Sequence, residues 1–315
     1  MFSLSSVTHV GLTAIGTAIA LKATYDFTSL LYFHFLSPPT YTRFLYGKAP
    51  YALITGASDG IGKAVAKELY SKGFNIIIHG RNLEKLEKVR EEIQSTSNKR
   101  DVRIWVADAS APEIDFVDAL REWKDIEITL VIHNVGAAQL TNASIDGIPT
   151  ETLLRDLRLN ATFPYLLTRA LLPGLRKTSR SGPVELIFIG SVASDLPIPG
   201  LNPYGPSKAF MRQMSKTIGA EECAIHKESD VSTMFLQVAE VSSGSHRSAV
   251  TLFGPSAETY AKSVVSKVGC GRSVVVPYVW HAMQIWFMGL LPERLLAKSA
   301  ADAAVGEHKR MAKEA

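Results

Sequence analysis

The sequence predicts an α/β fold, a doubly wound parallel sheet in three layers, entered through an apolar N-terminal segment. Three observations carry this. Short apolar β-runs alternate with helical patterns of ten or more residues, the signature of βαβ units. The first β-run opens into the turn Thr55-Gly56-Ala57-Ser58-Asp59-Gly60-Ile61-Gly62, and a helical period follows at once. Apolar residues make up 46% of the 315, enough for a sizeable core, and no repeat or low-complexity tract interrupts them.

The N-terminal segment comes first. Residues 7–21 carry no charge, Lys22 and Asp26 interrupt, and residues 27–36 are apolar and aromatic again. As a helix, the uncharged block reaches ~22 Å, whereas a spanning helix needs about 20 residues. It reads as a short span, a hairpin or interfacial segment, or an apolar helix docked on the core or a partner. No basic residue precedes it, which disfavours a secretory leader. If it spans, Lys22, Arg43 and Lys48 on its C-terminal side put the main domain in the cytosol.

Ser37-Pro38-Pro39-Thr40 reads as a linker, so residues 1–44 form anchor and linker. Strands are then expected at 51–55, 75–79, 102–107, 128–134, 185–189, 231–238 and 274–277. Helices are expected at 61–72, 83–94, 114–123, 150–176, 204–226 and 256–268. One domain, 45–278, holds them all. Residues 279–315 add an apolar stretch suited to substrate or membrane, then a polar end from Lys298 that is expected to be solvated or frayed.

Net charge is only +4, from 34 basic and 30 acidic residues without a basic stripe, which argues against nucleic acid as partner. The two cysteines, Cys223 and Cys270, exclude a disulfide framework or a zinc site, and no metal is expected.

The glycine spacing in 55–62 lets the chain turn tightly into a helix and brings backbone N–H groups of Gly56, Ser58, Asp59, Gly60, Ile61 and Gly62 toward a pyrophosphate. A P-loop is excluded, because Ala64 follows Lys63 where that motif needs Ser or Thr. At the end of the second strand, where an NAD site holds an acid, stands Arg81, suited to the 2′-phosphate of NADP. Asp108 after the third strand suits either the adenine edge or a turn cap. Tyr204 and Lys208 are four apart and share a helix face. A neighbouring cation lowers a phenol's pKa, which makes Tyr204 a candidate general acid. Ser191 ends the fifth strand, where its hydroxyl can donate to a carbonyl oxygen.

On TGASDGIG (55–62), HNVG (133–136), Asn160, Ser191 and YGPSK (204–208), the chain resembles the short-chain dehydrogenase/reductase family over about residues 50–278. That implies a Rossmann-type fold and a catalytic tetrad of Asn160, Ser191, Tyr204 and Lys208. Tyr204 would exchange the proton, Ser191 polarise the oxygen, Lys208 hold the nicotinamide ribose, and Asn160 hold a relay water. Asn134 and Gly136 would line the cofactor, and Val241 would lie in the nicotinamide loop. The stretch from Tyr51 to Val89, Asn134-Val135-Gly136, Leu171-Leu172-Pro173-Gly174 and His281-Ala282 resemble more narrowly a membrane-bound branch, the very-long-chain 3-oxoacyl-CoA reductases and 17β-hydroxysteroid dehydrogenases.

The resemblance implies NADPH-dependent reduction of a ketone on a lipophilic substrate, at the endoplasmic reticulum membrane with the catalytic domain facing the cytosol, with a homodimer as a further option. Two rivals are an NADP-dependent alcohol dehydrogenase running oxidatively and a non-catalytic membrane-tethered scaffold. The family's usual Pro-Gly after the sixth strand is replaced by Ala239-Glu240, which leaves open which of Ser242 and Ser243 replaces the family's threonine. The loops 137–149 and 242–255 are expected to shape the substrate pocket.

Overall fold

The computed structural model describes residues 4–95, 99–138, 144–244 and 248–314; parts of the two expected substrate loops, 139–143 and 245–247, lie outside the described residues. The strands are β1 (Pro50–Ile54), β2 (Asn75–Gly80), β3 (Val102–Val106), β4 (Glu127–His133), β5 (Val184–Ile189), β6 (Val231–Leu236) and β7 (Val274–Val275). All pair in parallel in the order β3-β2-β1-β4-β5-β6-β7. The strand order reverses between β1 and β4, which opens a crevice at the carboxyl ends there.

The helices are α1 (Leu4–Leu31), α2 (Gly60–Lys72), α3 (Leu83–Gln94), α4 (Phe116–Glu122), α5 (Thr150–Leu157), α6 (Phe163–Thr178), α7 (Tyr204–Ile225), α8 (Ala257–Lys267), α9 (Val279–Met288) and α10 (Glu293–Glu314). A parallel sheet must be covered on both faces, and successive side chains point to opposite ones. Ala52, Ile54, Ile76, Ile78, Leu130 and Ile132 accordingly pack with α2, α3 and α8. Leu53, Ile77, Val131, Leu186 and Phe188 pack with α6 and α7 on the other side.

Two elements differ from expectation. The helix expected over 150–176 is broken by a π-turn, Arg158–Thr162, between α5 and α6. Pro164 has no N–H to offer the Asn160 carbonyl four residues back; the turn widens, and Phe163 N bonds to Arg158 O instead. The polar end does not fray at Lys298 but continues as α10, whose alanines at 297, 300, 301, 303 and 304 favour helix. The N-terminal segment forms the 28-residue α1. Among the described residues no helix is long and apolar enough to cross a membrane.

The linker is not free-standing. Phe33 lies buried between the Lys267 ammonium and the Arg272 guanidinium, 4.3 and 4.0 Å from its ring centroid. Phe44 is buried against Gly269, and Thr40 Oγ1 donates to Val268 O at 2.6 Å. Tyr46 Oη donates to Gly182 O at 2.8 Å. Residues 33–46 thus pack under the amino ends of the strands.

Glu185 lies buried at that same edge and accepts from Gly269 N at 2.8 Å. Burial pushes its carboxyl up to about 7. Because the folded value is raised, the unfolded chain ionises first; the stability tied to the proton is complete below about pH 4.5 and is lost as pH rises through about 7. Glu185→Gln keeps an acceptor and removes the charge. We expect it to stabilise by on the order of 2–3 kcal/mol at pH 8 and by little at pH 4.5. Thermal melts at the two pH values check this, and an equal shift at both would refute it.

Candidate active site

The strand-to-helix turn is built by close approach. Gly56 and Gly60 sit at φ +65 and +57, the left-handed region that favours glycine. A Cβ on Gly62 would drive into the Gly56 carbonyl oxygen and come within 2.5 Å of the Asn134 amide nitrogen. That amide donates to Thr55 O at 3.1 Å and Gly56 O at 3.0 Å. Thr55 Oγ1 in return accepts from the backbone N–H groups of Asn134 (3.0 Å) and Val135 (3.2 Å). The Asn134 side chain therefore braces the glycine turn.

Asp59 caps α2, its carboxylate accepting from Gly60 N at 2.7 Å, and also abuts Gly244. The loop after β6 lies across the turn: a Cβ on Gly60 would meet Ser243 Cβ at 3.2 Å. Ser242 Oγ points elsewhere and donates to Ser248 O at 2.7 Å. Ser243 is thus the hydroxyl beside the turn, a residue that spacing alone left unresolved. The Val241 side chain is buried in the core, so only its backbone can face a cofactor.

Arg81 is exposed just beyond β2. Asp108 Oδ1 accepts from Ser110 N at 2.9 Å and Ser110 Oγ at 2.8 Å, a turn cap. Those hydrogen bonds, and more weakly the Arg81 charge, hold the Asp108 carboxyl below its usual range.

The expected tetrad converges at the carboxyl ends of β4 and β5. Lys208 is buried, its Nζ donates to Ile189 O at 2.9 Å, and burial draws its pKa down to about 8. The same ammonium lies 5.5 Å from the Tyr204 ring centroid. Ser191 Oγ accepts from Ala193 N at 3.1 Å and hydrogen-bonds the Tyr204 hydroxyl. Tyr204 departs from expectation: burial raises its phenol above the usual value, and the Ser191 bond opposes this without reversing it. The lysine faces the ring side, so the phenol is kept protonated instead of acidified.

Asn160 is fully buried in the π-turn. Its Oδ1 accepts from Ala137 N, and its Nδ2 donates to Ala137 O and Asp156 O, each at 3.0 Å. These bonds fix the loop after β4 and engage both amide hydrogens of the side chain. Gly136 passes between the two partners, since a Cβ there would stand 3.0 Å from both Asn160 Oδ1 and Lys208 Nζ. One residue absent from the sequence reading is Asp195. It pairs with Arg212 of α7 and accepts from Gln237 Nε2 at 2.6 Å, which ties the segment after Ser191 to α7 and to the exit of β6.

The short chain dehydrogenase family profile matches residues 50–248, well over half of the chain, and the match holds all four tetrad positions. The chain belongs to the short chain dehydrogenase family. This short chain dehydrogenase is similar to the very-long-chain 3-oxoacyl-CoA reductase of Kluyveromyces lactis, 29% identical over 85% of this chain and 80% of that one. The very-long-chain 3-oxoacyl-CoA reductase of Aspergillus clavatus is 26% identical over 98% of this chain and 88% of its own. Among solved structures, a short-chain dehydrogenase from Sphingobium yanoikuyae in complex with NADPH superposes with TM-score 0.60 at 22% identity, covering 76% of this chain and 94% of that one. An alcohol dehydrogenase from Thermococcus sibiricus complexed with 5-hydroxy-NADP gives 0.60 at 21% identity, covering 73% and 94%. These likenesses establish the fold of this short chain dehydrogenase, and the family makes it an oxidoreductase.

Proposed function

We propose that this oxidoreductase uses NADPH to reduce the ketone of a lipophilic substrate, with a long-chain 3-oxoacyl thioester as first choice. The carrying observation is the meeting of Ser191, Tyr204, Lys208 and Asn160 beside the glycine turn. The residues present suit a dinucleotide: the turn at Gly56 and Gly60, with φ +65 and +57, delivers the chain into the N-terminus of α2, where backbone N–H groups and the helix dipole favour a phosphate. Backbone N–H groups from Ser58 to Gly62 and the Ser243 hydroxyl would hold the pyrophosphate. Arg81 would pair with the 2′-phosphate, Asp108 would approach the adenine edge, and Lys208 would hold the nicotinamide ribose. NADPH, when bound, supplies the hydride to the carbonyl carbon. Tyr204, kept protonated by burial, donates its proton to the carbonyl oxygen while Ser191 orients that oxygen. Lys208 remains cationic at neutral pH and offsets the charge that Tyr204 would develop.

The branch similarity supports the thioester. The surface supports a lipid-proximal setting. Val10, Leu12, Ile15, Ile19 and Leu21 of α1 are exposed, as are Phe287, Leu290 and Leu291 at the end of α9. The two helices meet through Phe27 and Trp286, with ring centroids 5.1 Å apart. We place this apolar surface on the cytosolic face of the endoplasmic reticulum membrane. Exposed Tyr165 and Phe210, in edge contact at 5.8 Å on α6 and α7, would supply a homodimer face.

Purified protein in mixed micelles should oxidise NADPH on addition of a long-chain 3-oxoacyl-CoA. No turnover with that substrate or with a steroid ketone would defeat the reading. Arg81→Asp should weaken NADPH relative to NADH by about 10–100-fold, the worth of one charge-assisted phosphate contact. An unchanged preference would remove Arg81 from the phosphate site.

A further inference from the structure

His281 and the loop at Ala239-Glu240 take no part in the chemistry described above, yet they meet. His281 is fully buried near the start of α9. Its Nε2 lies 3.0 Å from Glu240 O and 3.0 Å from Phe253 O. Both partners are carbonyls, so Nε2 carries the proton and donates to both. One acceptor belongs to the loop that runs from β6 over the glycine turn. The other belongs to the segment at 248–255, part of the loop expected from the sequence to shape the substrate pocket. Tyr278 Oη, on the turn into α9, donates to Leu252 O at 3.0 Å, and the Trp280 ring meets Phe253 edge-on at 6.3 Å.

The β6 loop has neither proline nor glycine between Ala239 and Ser243 to set its path. Ser242 joins it to the second segment through Ser242 N to Pro255 O (2.9 Å) and Ser242 Oγ to Ser248 O (2.7 Å), and Ala257 N bonds back to Ser242 O (3.1 Å). The imidazole joins the two again, at Glu240 and Phe253.

We infer that His281 is a positioning residue that locks the cofactor-side loop (239–244) and the substrate-side segment (248–255) into one roof over the site. The acyl chain then binds against a single prearranged surface, with Leu252 and Phe253 half-exposed upon it. His281 acts through these loops and touches no reacting atom. Its loss therefore falls on substrate binding, while the proton step at Tyr204 is spared. The inference rests on the reading of the site as an acyl-thioester reductase, and its test keeps the two separable.

The test compares wild type, His281→Phe and His281→Gln, with 3-oxostearoyl-CoA and NADPH as probes and amide hydrogen exchange as a readout independent of turnover. His281→Phe keeps a ring but no donor. It should raise KM for the thioester about 10-fold with kcat within about 3-fold, and should speed exchange over 248–255. His281→Gln, whose amide N–H stands close to the place of Nε2, should restore both KM and protection. If the Phe variant does not fold, His281→Asn, whose shorter amide falls short of the carbonyls, carries the same expectation. Unchanged exchange in folded variants, or a loss confined to kcat, overturns the inference. A wild type that fails to oxidise NADPH with the probe defeats the reading of the site, while exchange over 248–255 still decides on the lock.

Discussion

Tyr204→Phe is expected to lower kcat by about 10²–10⁴-fold, the usual range for a positioned general acid. The substitution removes one oxygen and leaves the ring beside the Lys208 ammonium, 5.5 Å from its centroid. NADPH affinity and melting temperature should stay close to wild type, because the hydroxyl's bond is to Ser191 and the ring keeps its place. Single-turnover NADPH oxidation, set beside equilibrium cofactor binding, separates the two effects. Unchanged turnover would take Tyr204 out of the proton step. In wild type the reductive rate should decline above about pH 8, where the buried Lys208 gives up its charge.

Gly62→Ala is expected to lose NADPH binding altogether at concentrations that saturate wild type. Two effects oppose each other at this position. Alanine favours a helix over glycine by about 1 kcal/mol. Against it, the new methyl enters the Gly56 carbonyl and the Asn134 amide, and overpacking of this kind costs about 1–3 kcal/mol. Neither obstacle can step aside cheaply, since Asn134 is bonded to Thr55 O and Gly56 O and the other atom is backbone. The clash wins, and the start of α2 moves away from the end of β1, which spoils the cradle. Fluorescence titration with NADPH and a thermal melt measure both consequences. A variant that binds as wild type does would show that the turn is only a turn.

Much of this was legible in the sequence because its physics is local. β2 and β4 read as apolar runs since both sheet faces are covered. The glycine turn and the Tyr204–Lys208 pair follow from spacing along single elements. What was not legible depends on contacts between distant segments. The bracing role of Asn134 is one example, since its partners Thr55 and Gly56 lie far back in the chain. The π-turn at Asn160 had a readable cause in Pro164, yet a helical period tolerates one extra residue and hides the break. The acidified phenol failed because spacing gives the Tyr204–Lys208 neighbourhood but not the burial that outweighs it. Phe33 and Phe44 were assigned to an anchor and linker because apolar residues bound for lipid and for a protein core have the same composition; only the pairing with Lys267, Arg272 and Gly269 tells them apart.

Those two phenylalanines also decide where the exposed N-terminal helix ends and the body of the enzyme begins. A fragment cut at residue 45 to gain solubility would strip Phe33 and Phe44 from their sockets and leave two cations and Val268 facing water under the sheet. The sensible cut falls upstream of Tyr32, so that any trimmed catalytic body keeps this plug in place.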